Sequence, residues 1–422
     1  MKHIVIIGAG FAGLKLARQL NNNKHYKITL IDKNNYHQFQ PLLYQVATAN
    51  LDASNVSFPL RTIFKHSKNV SVRITELKSI NTANNTIETD TGTIEFDYLV
   101  IATGADTNYF GNDELSKNAF PMKSTLEALQ LRNRIIQVFE TASICKDELE
   151  LQKLLTIVVV GGGPTGIELS GALAEIKHEK LPGEYPELNI NKVKILLLEG
   201  SSGLLSAMRE PSSKRSEQYL KNMGVVVKTN TIVKSYDGNQ VILTNGETIP
   251  SALVIWAAGI KGNVPAGIEQ TLVAPGNRIM VDQMNRVEGF TNIFTLGDLA
   301  YMKTESHPKA LPQLASVAID QAKNLANNFK NMLANKPLEP YHYVNKGYMA
   351  TVGQNKAVVD LEFPKWSLGG FLAWFIWMSL HLFLLIGFKN RIVVFIHWIY
   401  KYFLRTQSLS LLFEPLLRRR KT

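Results

Sequence analysis

Twice along this chain an apolar run feeds straight into a Gly-x-Gly-x-x-Gly turn, and this repeat limits the possible folds more than any other feature. The first copy runs through residues 3–7 into Gly8-Ala9-Gly10-Phe11-Ala12-Gly13 and a helix reaching about residue 20. The second runs through residues 156–160 into Gly161-Gly162-Gly163-Pro164-Thr165-Gly166 and a helix reaching about residue 176. Each is followed by another apolar strand that ends in an acid, Asp32 after residues 28–31 and Glu199 after residues 193–198. A lone glycine pattern says little. In this strand–turn–helix–strand–acid context it is the fingerprint of a dinucleotide site. The first glycine makes the turn, the second lets backbone approach a pyrophosphate, and the third lets helix and strand pack closely. The helix start then offers free N–H groups and a positive dipole end, and the acid accepts from ribose hydroxyls.

The roles fall on Gly8, Gly10, Gly13 and Asp32, and again on Gly161, Gly163, Gly166 and Glu199. The second acid comes later than the usual interval of about 20 residues. Residues 178–191, with Pro182-Gly183 and Pro186, read as an insertion that accounts for the delay. A carboxylate at 199 binds a free ribose 2′-hydroxyl and repels a 2′-phosphate, and Gly200, Ser201 and Ser202 supply no arginine. The second site is therefore expected to prefer NADH to NADPH.

Continuous apolar strands flanked by helices predict a doubly wound α/β fold. Further strands are expected at 98–101, closed by Ala102-Thr103-Gly104, and at 253–256, leading to Ala258-Gly259. Residues 124–152 read as one helix with a charged face, residues 293–296 as a strand meeting Gly297-Asp298, and 314–333 as a helix. The expected division is 1–115 and 266–340 for the first nucleotide domain, 116–265 for the second, with a crossover over 116–155, and 341–422 for a C-terminal region.

With 422 residues, 45% of them hydrophobic, there is ample material for these cores. The single cysteine, Cys145, excludes an internal disulfide, a CxxC redox pair and a zinc cage, and no histidines have metal spacing. No signal peptide precedes the first strand, so the N-terminus is expected to stay where it is made. The net charge of +11 suits an anionic membrane or ligand as well as nucleic acid, for which no recognition motif is present.

Two dinucleotide sites in one chain suggest one resident cofactor and one exchanging substrate. At this point the sequence resembles the two-dinucleotide-fold flavoproteins and, within them, type II NADH dehydrogenases, the single-chain NADH:quinone oxidoreductases of respiratory membranes. The resemblance covers nearly the whole chain. It rests on Tyr36-His37-Gln38-Phe39-Gln40-Pro41-Leu42-Leu43-Tyr44-Gln45-Val46-Ala47, on the second glycine motif with Ile167-Glu168, on Gly297-Asp298, on Lys346-Gly347-Tyr348-Met349-Ala350-Thr351-Val352-Gly353, and on the aromatic C-terminus.

The resemblance implies a tightly bound FAD held by Gly8, Gly10, Phe11, Ala12, Gly13, Asp32, Lys33, Gln40, Ala102, Thr103, Gly104, Gly297 and Asp298, the last on the ribityl chain. It implies NADH at Gly161, Gly163, Pro164, Thr165, Gly166, Glu168, Glu199, Ala258 and Gly259. Glu168 is expected in the gap between nicotinamide and flavin, tuning charge or relaying protons; the plainer alternative is a helix-start glutamate favoured by the dipole. Lys346 is expected as a cation near the flavin, with a solvated lysine as its alternative. The family's Ala-Gln-x-Ala-x-Gln quinone helix corresponds to Ala315-Ser316-Val317-Ala318-Ile319-Asp320 here, followed by Gln321. Both glutamines are replaced, so Ala315, Ser316 and Gln321 are the candidate quinone contacts.

Residues 366–388 contain no Lys, Arg, Asp or Glu and seven aromatic residues other than His381. That length permits a membrane span. Gly369-Gly370, the polar Ser379 and His381, and a second apolar run of only 392–400 favour helices lying in the interface, with the basic end at Arg418-Arg419-Arg420-Lys421 drawn to anionic lipid. His381 itself is expected to be packed or interfacial.

The expectation is a non-proton-pumping, FAD-dependent NADH:quinone oxidoreductase, attached through residues 366–422 to the cytoplasmic face of a bacterial inner membrane and able to form a homodimer. An NADH oxidase or other-acceptor reductase on the same fold, and a non-catalytic flavin redox sensor, remain as alternatives.

Overall fold

The computed structural model describes residues 1–404 and 411–412. The basic end at 418–421 lies outside the described residues. In chain order the elements that carry the argument are β1 (Lys2–Ile7), α1 (Phe11–Gln19), β2 (Tyr26–Asp32), α2 (Leu43–Ala47), β3 (Val70–Ile74) and β4 (Tyr98–Ile101). There follow α3 (Thr125–Ser143), α4 (Glu148–Leu154), β5 (Thr156–Val160), α5 (Pro164–Glu179), β6 (Lys194–Leu198), α6 (Glu210–Asn222), β7 (Val225–Lys228) and β8 (Leu253–Trp256). The last are β9 (Ile293–Thr295), α7 (Ala315–Leu333), β10 (Tyr348–Gly353), β11 (Lys356–Asp360), β12 (Ser367–Gly369), α8 (Phe371–Leu384) and α9 (Phe388–Leu404).

The helix expected over 124–152 is two helices. Ser124 and Glu127 form a capping box that starts α3. Asp147 accepts the Glu150 N–H at 2.8 Å and starts α4 afresh. A short capping residue at that point competes with continuation of the helix, and it wins.

The chain forms two compact units. The first comprises 1–38, 58–106 and 260–344 and is built on a five-stranded parallel sheet in the order β9-β4-β1-β2-β3. The second comprises 39–57, 107–259 and 345–422. Its parallel sheet runs from a short strand, Phe120–Pro121, through β8, β5 and β6 to β7. The glycine-loop strand is central in both, paired on one side with the strand that ends in the acid and on the other with the strand that ends in the Ala-rich turn. The central strands are buried on both faces, which is why their sequences run apolar without alternation.

Residues 39–57 and 345–404 pack with the second unit. The antiparallel sheet β10-β11-β12 carries α8 on one side, with Ala357, Val359 and Ala373 buried between them. β10 lies along α5, and the contact is backbone-close: a Cβ on Gly171 would overlap the Val352 carbonyl oxygen. Asp360 at the end of β11 is buried and accepts from Ser212 Oγ and from the Arg209 N–H, both at 2.7 Å, so it caps the start of α6 from a distant part of the chain. Among the described residues no helix is long and apolar enough to cross a membrane.

Gly171→Ala is expected to destabilise the protein by about 1–3 kcal/mol, because the added carbon must push α5 from β10. Gly183→Ala, where the Cβ meets open space, is the control. Denaturant midpoints for the two variants check this, and equal midpoints would remove the close contact.

Candidate functional site

The two glycine loops are built alike. Gly8 donates to the Ile31 carbonyl at 2.7 Å, and Gly161 to that of Leu198 at 2.8 Å. Gly8 and Gly161 both adopt positive φ, at 99° and 110°, and a side chain there would strike the backbone of Ala102 or Ala257. Gly13 and Gly166 lie against the carbonyls of Gly8 and Gly161, where a Cβ would overlap them. The middle glycines behave differently. A Cβ on Gly10 or Gly163 would meet nothing within 4 Å. Those two positions are the floor of an open cradle at the N-termini of α1 and α5, and neither helix start has a side-chain cap. Uncapped first-turn N–H groups beside open space are what a pyrophosphate needs. Pro164, at the first position of α5, sacrifices no needed donor.

The two acids support these loops. Asp32 accepts from the N–H groups of Ala9 and Asn34, each at 2.7 Å. Burial pushes its pKa up, opposed by those two donors and by the Lys33 charge. Glu199 accepts from the Gly162 N–H and, at 2.7 Å, from the Ser201 N–H. Burial again raises its pKa, but hydrogen bonds from Ser201, Gly162 and Gly200 outweigh it and hold the carboxyl below its usual value.

A support absent from the sequence reading is His37. Its Nδ1 stands 2.8 Å from the Ala9 carbonyl, and its ring meets Phe11 edge-on at 5.4 Å. Burial lowers its pKa to about 4, so it is a neutral prop for the first loop. No spacing rule marks it.

Around the first loop, Thr103 donates to the Asn263 carbonyl at 2.7 Å, and Gly104 takes a φ of 68°. Gly297, at a φ of 70°, donates its N–H to Gln321 Oε1 at 2.8 Å, while Gln313 donates to the Asp298 carbonyl at 2.9 Å. Gln321, read from sequence as a quinone contact, is buried, and its Oε1 braces the turn that presents Asp298. Ala315 and Ser316 are half-buried at the start of α7, and Asp320 pairs with Lys323 at 2.8 Å. In the second unit, the Gln40 amide donates to the Lys123 carbonyl at 3.1 Å. Gly259, at a φ of 106°, receives the Asn108 N–H at 3.1 Å beside Ala258. Lys346 is exposed at the approach to β10.

Glu168 is a buried, strongly shifted carboxyl of the second unit. It sits on α5 just past the glycine loop and faces a cavity lined by Tyr44 and Gln45 of α2, by Thr351 of β10, by Trp374 and Trp377 of α8 and by Trp398 of α9, among others. The cavity has a volume of about 60 Å³ and is partly open to solvent, which is room for water and well below the usual size of a small-molecule site. The Thr351 N–H approaches Glu168 Oε1 at 3.5 Å, the outer limit of a hydrogen bond. Burial dominates and pushes the Glu168 pKa up to about 8, opposed by the Thr351 N–H and the Trp377 indole. The carboxyl is thus neutral at pH 7 and able to donate a proton. Sequence alone placed Glu168 on the helix. It did not place β10, α2 and α8 around it; the isolated Gly171 was the one local signal of a close backbone neighbour.

His381 is packed. It stacks on Trp377 at 4.1 Å between ring centres, with Nδ1 2.7 Å from the Trp377 carbonyl, and burial lowers its pKa to about 4.

Residues 2–322 match the pyridine nucleotide-disulphide oxidoreductase family, and residues 345–406 match the NDH2 C-terminal domain. The type II NADH:quinone oxidoreductase NdhA of Mycobacterium tuberculosis is 34% identical over 94% of this chain and 86% of its own length. The type II NADH:quinone oxidoreductase of Staphylococcus aureus is 29% identical over 85% of this chain and 89% of its own. In structure the chain is similar to NDH2 from Plasmodium falciparum in complex with NADH, with a TM-score of 0.86 at 22% identity over 95% of this chain and 98% of the other. This chain belongs to the type II NADH:quinone oxidoreductase family.

Proposed function

We propose that the second unit binds NADH through the Gly161–Gly166 loop and Glu199, that the first unit holds FAD through the Gly8–Gly13 loop, Asp32 and Asp298, and that a quinone takes the electrons. The observation that carries this is the paired open cradle at Gly10 and Gly163, each at an uncapped helix start with an acid-bearing strand beside it. FAD, when bound, supplies the hydride acceptance and the onward electron transfer. The residues do the rest. N–H groups of Phe11 and Ala12 would hold one pyrophosphate, and those of Thr165 and Gly166 the other. Glu199, held ionised, accepts from the NADH ribose and repels a 2′-phosphate. Glu168, held neutral, has a proton to give to the quinone half of the reaction. Ala315, Ser316 and Gln321 are the proposed quinone contacts on α7.

Membrane attachment is the second part of the reading. On α9 the exposed residues Phe388, Ile392, Phe395, Ile396, Ile399 and Phe403 follow a three-and-four spacing that puts them on one face. On α8, Phe371, Phe375 and Phe383 do the same, while Ala373, Trp377 and His381 face inward. An exposed apolar face of this kind suits a lipid surface, with the helices lying in the interface. NADH is a cytoplasmic metabolite, which favours that side of the membrane.

The test is anaerobic rapid mixing of the FAD-loaded protein with NADH or NADPH, followed by a short-chain quinone. NADH bleaches the flavin band and quinone restores it. In Glu199→Ala the NADH concentration needed rises roughly 10- to 100-fold and the preference over NADPH narrows; unchanged selectivity would remove Glu199 from the ribose site. Replacing Phe375, Phe383 and Phe395 together with Glu should weaken binding to anionic vesicles by at least about 100-fold while the flavin stays bound. Undiminished sedimentation with vesicles would show that this face is not the anchor.

A further inference from the structure

Phe110 combines an exposed ring with a backbone conformation that a bulky residue rarely adopts. The residue is 69% exposed, and exposure of a lone apolar side chain says little by itself. Its backbone says more. Phe110 has a φ of 53°, in the left-handed region. Most non-glycine residues with positive φ among the described residues are asparagines, whose short polar side chains tolerate it; an aromatic ring gains nothing from it. Strain of this kind persists only where the surroundings over-determine it.

The surroundings do so here. The Phe110 N–H donates to Asn108 Oδ1 at 2.9 Å, and the Trp256 indole donates to the Asn108 carbonyl at 2.9 Å. Tyr109 stacks on Trp256, with ring centres 6.0 Å apart. Further on, the Asn112 N–H donates to the Tyr109 carbonyl at 3.0 Å, and the Asn112 amide donates to the Lys234 carbonyl at 2.7 Å. The chain on either side of Phe110 is thus tied to the second unit, while the ring is held out in solvent. Its tip is aimed at Gly259: a Cβ on that glycine would stand 3.0 Å from Phe110 Cζ.

Gly259 belongs to the turn that follows β8. That turn borders the second glycine loop, since a Cβ on Gly161 would strike the Ala257 backbone. β8 pairs with β5 on the side opposite β6. A dinucleotide on such a sheet lies across the strand ends, with its adenosine ribose at the acid, here Glu199 after β6, and its pyrophosphate at the helix start. The nicotinamide half would therefore extend toward β8 and the turn that Phe110 overhangs.

We propose that Phe110 is an aromatic clamp for the nicotinamide half of the dinucleotide, its exposed ring closing on the nicotinamide riboside beside Gly259. The proposal rests on the reading that the second unit binds NADH. An apolar ring there adds stacking and excludes water without forming a bond, so it contributes affinity and leaves the hydride step unchanged.

The test uses the full-length, FAD-loaded protein and two ligands that cannot give up hydride, ADP-ribose and tetrahydro-NAD, titrated by calorimetry. Phe110→Ala weakens tetrahydro-NAD roughly tenfold and leaves ADP-ribose within about twofold of the wild type, whereas Phe110→Tyr keeps both. In rapid mixing, Phe110→Ala raises the NADH concentration for half-maximal flavin bleaching by a similar factor, at an unchanged limiting rate. Phe110→Gly, which relieves the positive φ, holds or raises the denaturant midpoint while losing the same affinity; removal of a ring that only packed would lower the midpoint and spare the affinity. Unchanged tetrahydro-NAD affinity in Phe110→Ala overturns the clamp, and so does an equal loss of ADP-ribose, which would put the ring at the other half. A wild-type protein that binds neither ligand overturns the reading of the second unit as the NADH site instead.

Discussion

The backbone contact between α5 and β10 at Gly171 is the constraint on which the second unit's chemistry depends. It brings Thr351 to Glu168 and, with α2, α8 and α9, closes a cavity around a carboxyl that the sequence places at a helix start. A helix-start glutamate in water would be ionised and favoured by the dipole. Here the loss of water outweighs the dipole, and the group stays neutral to about pH 8. This has a cost. The unfolded chain ionises Glu168 from about 4.5 upward, so the group lowers stability progressively between that value and about 8, and has no effect at lower pH.

The two nucleotide sites solve one problem twice, with the same backbone and different electrostatics. Each acid ties down the residue between the first two glycines, Asp32 through Ala9 and Glu199 through Gly162. Burial raises the Asp32 pKa, whereas the hydrogen bonds to Glu199 outweigh its burial and lower its pKa.

Much of this was legible in the sequence. The strands at 98–101, 156–160 and 253–256 stand where the apolar runs put them, because strands buried on both faces cannot alternate. The glycine spacing gave the loops, because the steric demands are local. What was not legible depends on chain returning from far away. His37 props the first loop across the sequence, Gln321 braces Gly297, and Asp360 caps a helix that begins at Glu210. Residues 366–388 read as one apolar stretch. Their division into an inward face with Trp377 and His381 and an outward face with Phe375 and Phe383 follows from packing of Ala373 on β11 and of Trp377 and His381 against Phe39, Tyr44 and Trp398.

The protonation state of Glu168 is read most directly by infrared difference spectroscopy of the wild type against Glu168→Gln across neutral pH. A neutral carboxyl band at pH 7 that gives way to carboxylate near pH 8 is expected. A carboxylate already present below about pH 6 would contradict it, because the cavity would then not desolvate the group.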